Sequence, residues 1–502
     1  MALAPFFERI YGAIGGHLSV SRESLITSLS EASIGLSCGN HLTSNDKWIA
    51  ELATNMLARL YPRLAISGPD PFSSKLRELA AKINPEIEFA TESPDETTIC
   101  ISVGASEAAL YPNSSGWVAR LSHSYRNRKG PANPYAAATA AAFACAELFR
   151  RVFLKASSEQ DVSVSLLDFS RDGGVDLELL QSSVGDVLVA GLGAVGNAAV
   201  WSLARHRNLQ GRLWLVDEEE LTLLNLQRYV LGTLADVSQP KVQLAQDALR
   251  KTELSIEPSK MTLEDFVQGR GSMDIATICI SVDNVASRRS AQALLPKLIV
   301  NGWTGDQGLG ASWHVFSRDA ACLACLYHPH GQGRSATEQA ARALGLSFDR
   351  ATFLWVTRQP LSQEDLRTAA QSLGVVEEKL EPWRNKSLGD LYTDLVCGTM
   401  PLDVTGVGRL EMVPLVHQSV LAGVLMAAEL VKRTDRKLSA LSEVEPLVSW
   451  DDILRPPPTL WTKPRPRETG CICGDSDYQT VYRSKWAIAE KRRRVKEAHR
   501  CD

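Results

Sequence analysis

The sequence predicts an α/β protein in which a unit built on a parallel sheet occurs twice, once intact and once worn, with a helical insertion in the second copy. Three observations carry this expectation. The apolar run Val187-Leu188-Val189-Ala190 leads straight into Gly191-Leu192-Gly193-Ala194-Val195-Gly196, the pattern of a strand, a tight turn and a helix N-terminus. The hexapeptide Thr-Ile-Cys-Ile-Ser-Val stands at 98–103 and again at 277–282, and both copies read as buried strands. From about 335 to 395 the pattern turns polar and helical and interrupts the α/β alternation.

At 502 residues the chain is longer than one ordinary domain, and at 44% hydrophobic composition it can fill sizeable cores. A net charge of −4 argues against a dedicated nucleic-acid binder. No segment approaches the roughly eighteen consecutive apolar residues of a membrane span, so no membrane partner is expected. Met1-Ala2-Leu3-Ala4-Pro5 places no basic region before an apolar run, so the expectation is no secretory signal and a cytoplasmic location. Ten cysteines in a chain of this length do not read as a disulfide scaffold, and close pairs in a cytosolic chain point to metal or catalysis.

Further echoes keep the order of the repeated hexapeptide. Arg63-Leu64-Ala65-Ile66 parallels Arg212-Leu213-Trp214-Leu215, each after an amphipathic helix. Ser115-Gly116-Trp117 parallels Asn301-Gly302-Trp303, and the Ala-rich helix ending Ala146-Glu147-Leu148-Phe149-Arg150-Arg151 parallels one ending Ala428-Glu429-Leu430-Val431-Lys432-Arg433. The copies differ where chemistry would sit. The first loop, Gly35-Leu36-Ser37-Cys38-Gly39-Asn40, lacks the three-glycine pattern, and Gly68 and Gly104 stand where the second half has Asp217 and Asp283. Residues 1–165 are therefore expected to be an inactive scaffold domain paired with an active domain at 175–335. The pairing could be an internal pseudo-dimer within a monomer, or part of a homodimer.

In the active half, a buried strand covers 184–190, a helix runs from about 194 to 206, and Leu213–Val216 form the next strand. Residues 336–396 are the helical insertion, where Ser362 is placed to N-cap a helix with Asp365 three residues on. Residues 397–475 begin with a Gly- and Thr-rich loop, Cys397 to Gly408, and continue through an Ala-rich helix at about 414–432 to proline-marked connections. Residues 476–502 are a basic tail that reads as a solvated helix.

The glycine loop alone suits any nucleotide enzyme: backbone N–H groups and a helix N-terminus face phosphate. Asp217, about twenty residues on, has the spacing of a carboxylate on ribose hydroxyls, as in a dehydrogenase. Asn225, Arg228 and Lys241 then add a donor and two cations. Hydride transfer has no need of them, whereas attack at the α-phosphate of ATP builds negative charge that they would hold. Asp283 closes the next strand and reads as a Mg2+ ligand.

Gly191, Gly193, Gly196, Asp217, Asn225-Leu226-Gln227-Arg228, Lys241 in Gln239-Pro240-Lys241, and Asp283-Asn284 together resemble the ThiF/MoeB and ubiquitin-activating (E1) superfamily. The resemblance covers roughly 184–330 and 395–435, with a fainter echo in the first half. It implies a Rossmann-like E1 adenylation fold, ATP and Mg2+ as cofactors, and adenylation of the C-terminal glycine of a ubiquitin-like protein. One departure is Tyr229, where the family usually has Gln.

Cys322-x-x-Cys325 and Cys471-x-Cys473 read as two halves of a structural zinc site, although the family usually carries two Cys-x-x-Cys pairs. His328 and His330 are the substitute ligands on offer, but their spacing is too cramped for a familiar zinc finger and suits surface histidines better. Cys397, followed by Gly, Thr and Pro, reads as exposed, and its position looks like that of the thioester cysteine of smaller E1 enzymes. Cys38, Cys100, Cys145 and Cys279 read as core. The resemblance thus implies an E1-like enzyme that forms an adenylate, moves the acyl group to Cys397 and hands it to an E2-like carrier. It is similar to enzymes of bacterial ubiquitin-like operons, some tied to antiviral defence. The alternatives are a sulfur-carrier or peptide adenylyltransferase that does not use Cys397 and, from another class, a Rossmann NAD-dependent dehydrogenase or nucleotide sensor. Arg9 and Arg22 are candidates for an arginine reaching in from the first half.

Overall fold

A computed structural model describes residues 4–7, 9–11, 14, 21–90, 99–105, 110–126, 129–155, 160–171, 177–179, 181–270, 274–305, 308–316, 320–327, 336–396, 414–442, 447–450, 462–463 and 465–498. The chain divides into two units: Met1–Pro5 with Ile26–His328 and Val416–Asp502, and Phe6–Leu25 with Pro329–Leu415. Residues 6–25, which the sequence groups with the first half, fall in the second unit.

After helix α1 (Arg22–Glu31) come β1 (Ile34–Cys38), α2 (Ser44–Ala58), β2 (Arg63–Ser67), α3 (Phe72–Ile83), β3 (Glu88–Phe89) and β4 (Ile99–Val103). The strands are parallel in the order β3-β2-β1-β4. Every residue of β1 is buried, as expected of a parallel strand covered on both faces. Then follow β5 (Tyr111–Ser115), β6 (Val118–Ser122), helix α4 (Pro134–Phe149) and β7 (Val162–Ser165), with β5-β6-β7 forming an antiparallel sheet.

The second half runs β8 (Ser182–Ala190), α5 (Ala194–Leu203), β9 (Leu209–Val216), α6 (Lys241–Leu249), β10 (Glu253–Ser259), α7 (Leu263–Arg270), β11 (Thr277–Ile280), α8 (Val285–Ala293), β12 (Leu298–Gly305), β13 (Gly308–His314) and the short α9 (Leu323–Leu326). The second unit holds α10 (Ala336–Ala343), α11 (Phe348–Thr357), α12 (Gln363–Leu373) and α13 (Leu388–Val396) around a core that includes Leu344, Leu354, Leu366, Leu373 and Leu391. Ser362 caps α12, and Asp365 returns the bond to the Ser362 N–H at 2.8 Å.

The chain then forms α14 (Val416–Thr434), α15 (Arg436–Leu441), β14 (Leu447–Trp450), β15 (Thr462–Lys463) and α16 (Ser476–Ala498). The large sheet has the order β10-β9-β8-β11-β12-β13-β14-β15, parallel through β12 and antiparallel beyond it. The first four strands of both halves therefore share one order: third, second, first, fourth.

Helix α14 is buried from Val416 through Lys432 and packs on α4 and α5. A Cβ at Gly423 would lie 2.3 Å from the Val195 carbonyl, so a glycine is what lets α14 cross α5 at the first turn after the phosphate loop. The two Ala-rich helices end alike. Glu147 is paired by Arg150 and Arg151, and Glu429 by Lys432 and Arg433, so each buried carboxylate is matched by cations. One sequence echo does not align. Gly116-Trp117 occupies the β5–β6 hairpin turn, whereas Asn301-Gly302-Trp303 lies within β12. A three-residue match carries no register information, and the two hairpins turn at different points.

Candidate nucleotide site and cysteine cluster

The loop Gly191–Gly196 bridges β8 and α5 at the crevice where β8 has β9 on one side and β11 on the other, the switch point of the sheet. Each glycine has its own reason. Gly191 has φ +88°, and a Cβ there would lie 2.9 Å from the Val282 N. A Cβ on Gly196 would come within 2.1 Å of the Gly191 carbonyl, so only glycine closes the turn against the helix. A Cβ on Gly193 would meet nothing within 4 Å. That open face at the start of α5 is where an anion can approach the backbone most closely.

Asp217 follows β9 and reaches back to this loop: its Oδ2 accepts from the Leu192 N–H at 2.6 Å and its Oδ1 from the Glu219 N–H at 2.9 Å. Burial raises its pKa, against the opposing pull of Lys241 and these backbone donors. Each oxygen keeps a lone pair for a ribose hydroxyl. Lys241, at the start of α6, is buried, and its ammonium is bonded to the Glu219 carboxylate. Sequence reasoning missed Glu219. Its side chain is 62% exposed while that of Lys241 is 3% exposed, so the acid can yield and the buried cation stays in place.

Asn225 lies in a short helical turn, Leu223–Gln227, capped by Thr222; its Oδ1 accepts from the Thr222 N–H, which leaves its amide N–H groups to donate. Arg228 follows, half-buried. Asn197 of α5 ties this connection to the loop, donating to the Gly193 carbonyl at 2.8 Å while its own oxygen accepts from the Leu231 N–H. Tyr229, where the sequence departs from the family pattern, is 1% exposed, and burial raises its pKa, with the carboxylates of Asp217, Asp236 and Glu219 adding to the shift.

Asp283 stands exposed after β11, one residue beyond Val282, which contacts Gly191. A lone accessible carboxylate beside a phosphate loop suits Mg2+, which commonly takes one or two carboxylates plus phosphates. The residues beneath it are fixed. Ser281 Oγ donates to the Gly191 carbonyl at 2.8 Å, Asn284 caps α8, and buried Arg288 bonds the Val282 carbonyl and Asn301. Burial lowers the pKa of Arg288. Its role had no signal in the sequence beyond its charge.

An arginine from the first half that sequence reasoning did not name reaches this region. Arg59, at the C-terminal end of α2, is 1% exposed and donates to the Leu226 and Gly232 carbonyls and to Asn55. Asn55 in turn donates to the Val230 carbonyl at 3.0 Å. These two side chains clamp the backbone on both sides of Arg228. Burial pushes Arg59 down to about 9, which leaves it charged at neutral pH. Arg22 lies over the Phe7 ring, 5.5 Å from its centroid, and both Arg9 and Arg22 belong to the second unit.

The four cysteines of the two pairs meet. Cys322, Cys325, Cys471 and Cys473 are buried, and their sulfurs all lie within 4.8 Å of one another. Three of the separations are 3.4, 3.6 and 3.9 Å. Four sulfurs at about 2.3 Å from a tetrahedral zinc stand roughly 3.8 Å apart, so the donor set fits that ion. The Glu468 N–H also donates to Cys325 Sγ. α16 is solvated over much of its start, where Ser476, Asp477, Tyr478 and Val481 are exposed, but one face is docked: Tyr482 packs on Phe316, and Lys485 and Trp486 donate to the Leu294 and Leu295 carbonyls. Tyr482 and Trp486 thus hold one face of the helix against the fold, a contact that charge counting overlooked. Cys397, His328 and His330 lie outside the described residues.

Residues 164–447 match the model of the ThiF family, and residues 37–154 match that of Prokaryotic E2 family C. The uncharacterized protein y4jF of Sinorhizobium fredii (strain NBRC 101917 / NGR234) is 32% identical over 97% of this chain and 98% of its own length. The sulfur carrier protein ThiS adenylyltransferase of Escherichia coli (strain K12) is 27% identical over 47% of this chain and 92% of its own length. A crystal structure of E. coli MccB with MccA-N7isoASN superposes with a TM-score of 0.36 at 15% identity, covering 58% of this chain and 67% of that one. Within residues 37–154, Cys38, Cys100 and Cys145 are all buried. Burial pushes the Cys38 thiol up to about 12, with Cys100 and Asp46 adding to it, and raises Cys145 as well.

Proposed function

The chain belongs to the ThiF family, and from that premise we propose that it activates the C-terminal carboxylate of a ubiquitin-like protein, first as an adenylate and then as a thioester on Cys397. The observation that carries the first step is the loop geometry: open space at Gly193, with Asp217 hooked onto the loop and the buried Lys241 cation beside it. The loop N–H groups and the α5 N-terminus receive the phosphates, and Asp217 receives the ribose. Asn225, Arg228 and Lys241 hold the charge that grows as the carboxylate oxygen bonds the α-phosphorus and pyrophosphate departs. Asp283 would hold Mg2+, which supplies neutralisation of phosphate charge. In the second step the Cys397 thiolate bonds the acyl carbon and AMP leaves.

A separate E2-like carrier then takes the acyl group. The buried thiols of residues 37–154, of which Cys38 and Cys145 are raised in pKa by burial, support a carrier supplied from outside, since a buried neutral thiol is a poor acyl acceptor. The common strand order of the two halves, together with the missing carboxylates at Gly68 and Gly104, supports reading the first half as an inactive adenylation-like scaffold that forms an internal pseudo-dimer. Cys322, Cys325, Cys471 and Cys473 would hold a structural zinc that pins the α16 segment to the sheet. No helix among the described residues is long and apolar enough to cross a membrane.

Replacing Cys397 by Ala tests the scheme. ATP–pyrophosphate exchange survives, while the reductant-sensitive adduct with the ubiquitin-like protein disappears. An adduct that persists removes Cys397 from the mechanism and favours a sulfur-carrier adenylyltransferase, the activity the ThiS relative is named for.

A further inference from the structure

We propose that the worn half keeps a ligand site of its own, for a phosphate-bearing molecule of mononucleotide size that it binds without consuming. A cavity of about 500 Å3 opens where β1 and β4 end, with Asn40 and His41 on one side and Ser102 and Gly104 on the other. This is the switch point of the first sheet, the counterpart of the crevice that holds Gly191–Gly196 in the second. Its size lies within the roughly 300–1,000 Å3 of small-molecule sites.

The lining is cationic. Arg120, Arg126, Lys129 and Arg171 face it against two carboxylates, Asp46 and Asp161. Both acids are engaged locally: Asp46 accepts from the Thr43 N–H and hydroxyl in the cap of α2, and Asp161 accepts from the His123 N–H and pairs with Arg126 at 3.2 Å. The excess positive charge selects an anion. Tyr125, 40% exposed and 5.9 Å from Tyr111 between ring centroids, offers an aromatic face for a base.

Three differences from the second half define what the site does. Gly104 stands where the second half has Asp283, the residue that would hold Mg2+, so the anion is bound by side-chain cations and not through a metal. Gly68 replaces the ribose carboxylate. The N-terminus of α2 is closed by its own capping box, so the cations and not the helix end supply the attraction. The chemistry is retention of a phosphate group with no divalent metal and no turnover. The site stands whether or not the second half adenylates a protein.

The test uses the full chain and AMP as probe, by equilibrium dialysis in buffer without added Mg2+. The readout is the difference between wild type and R126E/K129E, two residues at the surface. We expect the variant to lose one AMP equivalent, or to bind it at least about tenfold more weakly, with an unchanged melting temperature and unchanged pyrophosphate exchange. Inorganic phosphate should compete for that same equivalent. K129Q, a single neutral change at an exposed residue, should weaken it in the same direction. Equal AMP binding by wild type and both variants overturns the proposal. So does displacement of the AMP by an acidic peptide but not by phosphate, which would give the cavity to a protein terminus.

Discussion

Replacing Arg59 by Met should disable adenylation from a residue that touches no substrate. Arg59 sits on α2 and donates across 167 residues of sequence to the Leu226 carbonyl and across 173 to that of Gly232, so it fixes the connection carrying Asn225 and Arg228. Met keeps most of the apolar stem and removes every donor. Two buried carbonyls and the Asn55 oxygen lose their partner, at about 1–3 kcal/mol for each group left unsatisfied. Relief of the buried guanidinium, already pushed down to about 9, offsets part of that, and a net local loss of about 3 kcal/mol remains. That loosens Arg228 relative to the phosphate loop, and a displacement of about 1 Å costs on the order of 100-fold in rate. The assays are pyrophosphate exchange at saturating ATP and amide hydrogen exchange over Leu226–Gly232, which reads the local opening directly. Exchange within twofold of wild type, with unchanged protection of those amides, would refute the clamp.

Other expectations are as direct. Gly193→Ala keeps the fold, because its Cβ meets open space, but occupies the phosphate approach and should weaken ATP by roughly 5- to 100-fold in a binding titration; Gly196→Ala, facing the Gly191 carbonyl at 2.1 Å, should destabilise the protein itself in a thermal melt. The raised pKa of Asp217 should make ATP affinity fall at a higher pH than an ordinary carboxylate allows, and Asp217→Asn should abolish that acid limb. The sign for stability is the reverse of the usual carboxylate: the fold holds this proton more tightly than the unfolded chain, so the contribution of Asp217 to stability improves as pH falls through its raised pKa toward 3.8. Removing zinc with a chelator, or Cys471→Ser, should release α16 to proteolysis, since such sites contribute on the order of 10 kcal/mol; metal analysis that finds no zinc in wild-type protein would discard the assignment.

Much of the chemistry could be read along the chain because it is local. Gly191, Gly193 and Gly196 each answer a backbone requirement within one turn, Asp217 lies one strand later, and Ser362 with Asp365 marks a helix start wherever it occurs. The pairing of Cys322 and Cys325 with Cys471 and Cys473 was also legible, because two close thiol pairs have few other uses in a chain of this kind. The limits were equally physical. Ser115-Gly116-Trp117 and Asn301-Gly302-Trp303 look alike as letters and differ as structure, since strand register depends on partners that short strings do not encode.

The order of glycines, acids and cations was set by sequence alone, and with it the class of chemistry open to the second half. Only tertiary structure decided that Arg59 reaches the Arg228 connection, that Glu219 holds Lys241, and that cations gather at the end of β1 and β4 in the worn half. Those arrangements arise where helices and strands distant in sequence dock. A buried donor finds its acceptor, or several like charges converge, only after packing has fixed which surfaces meet, and no local pattern records that choice.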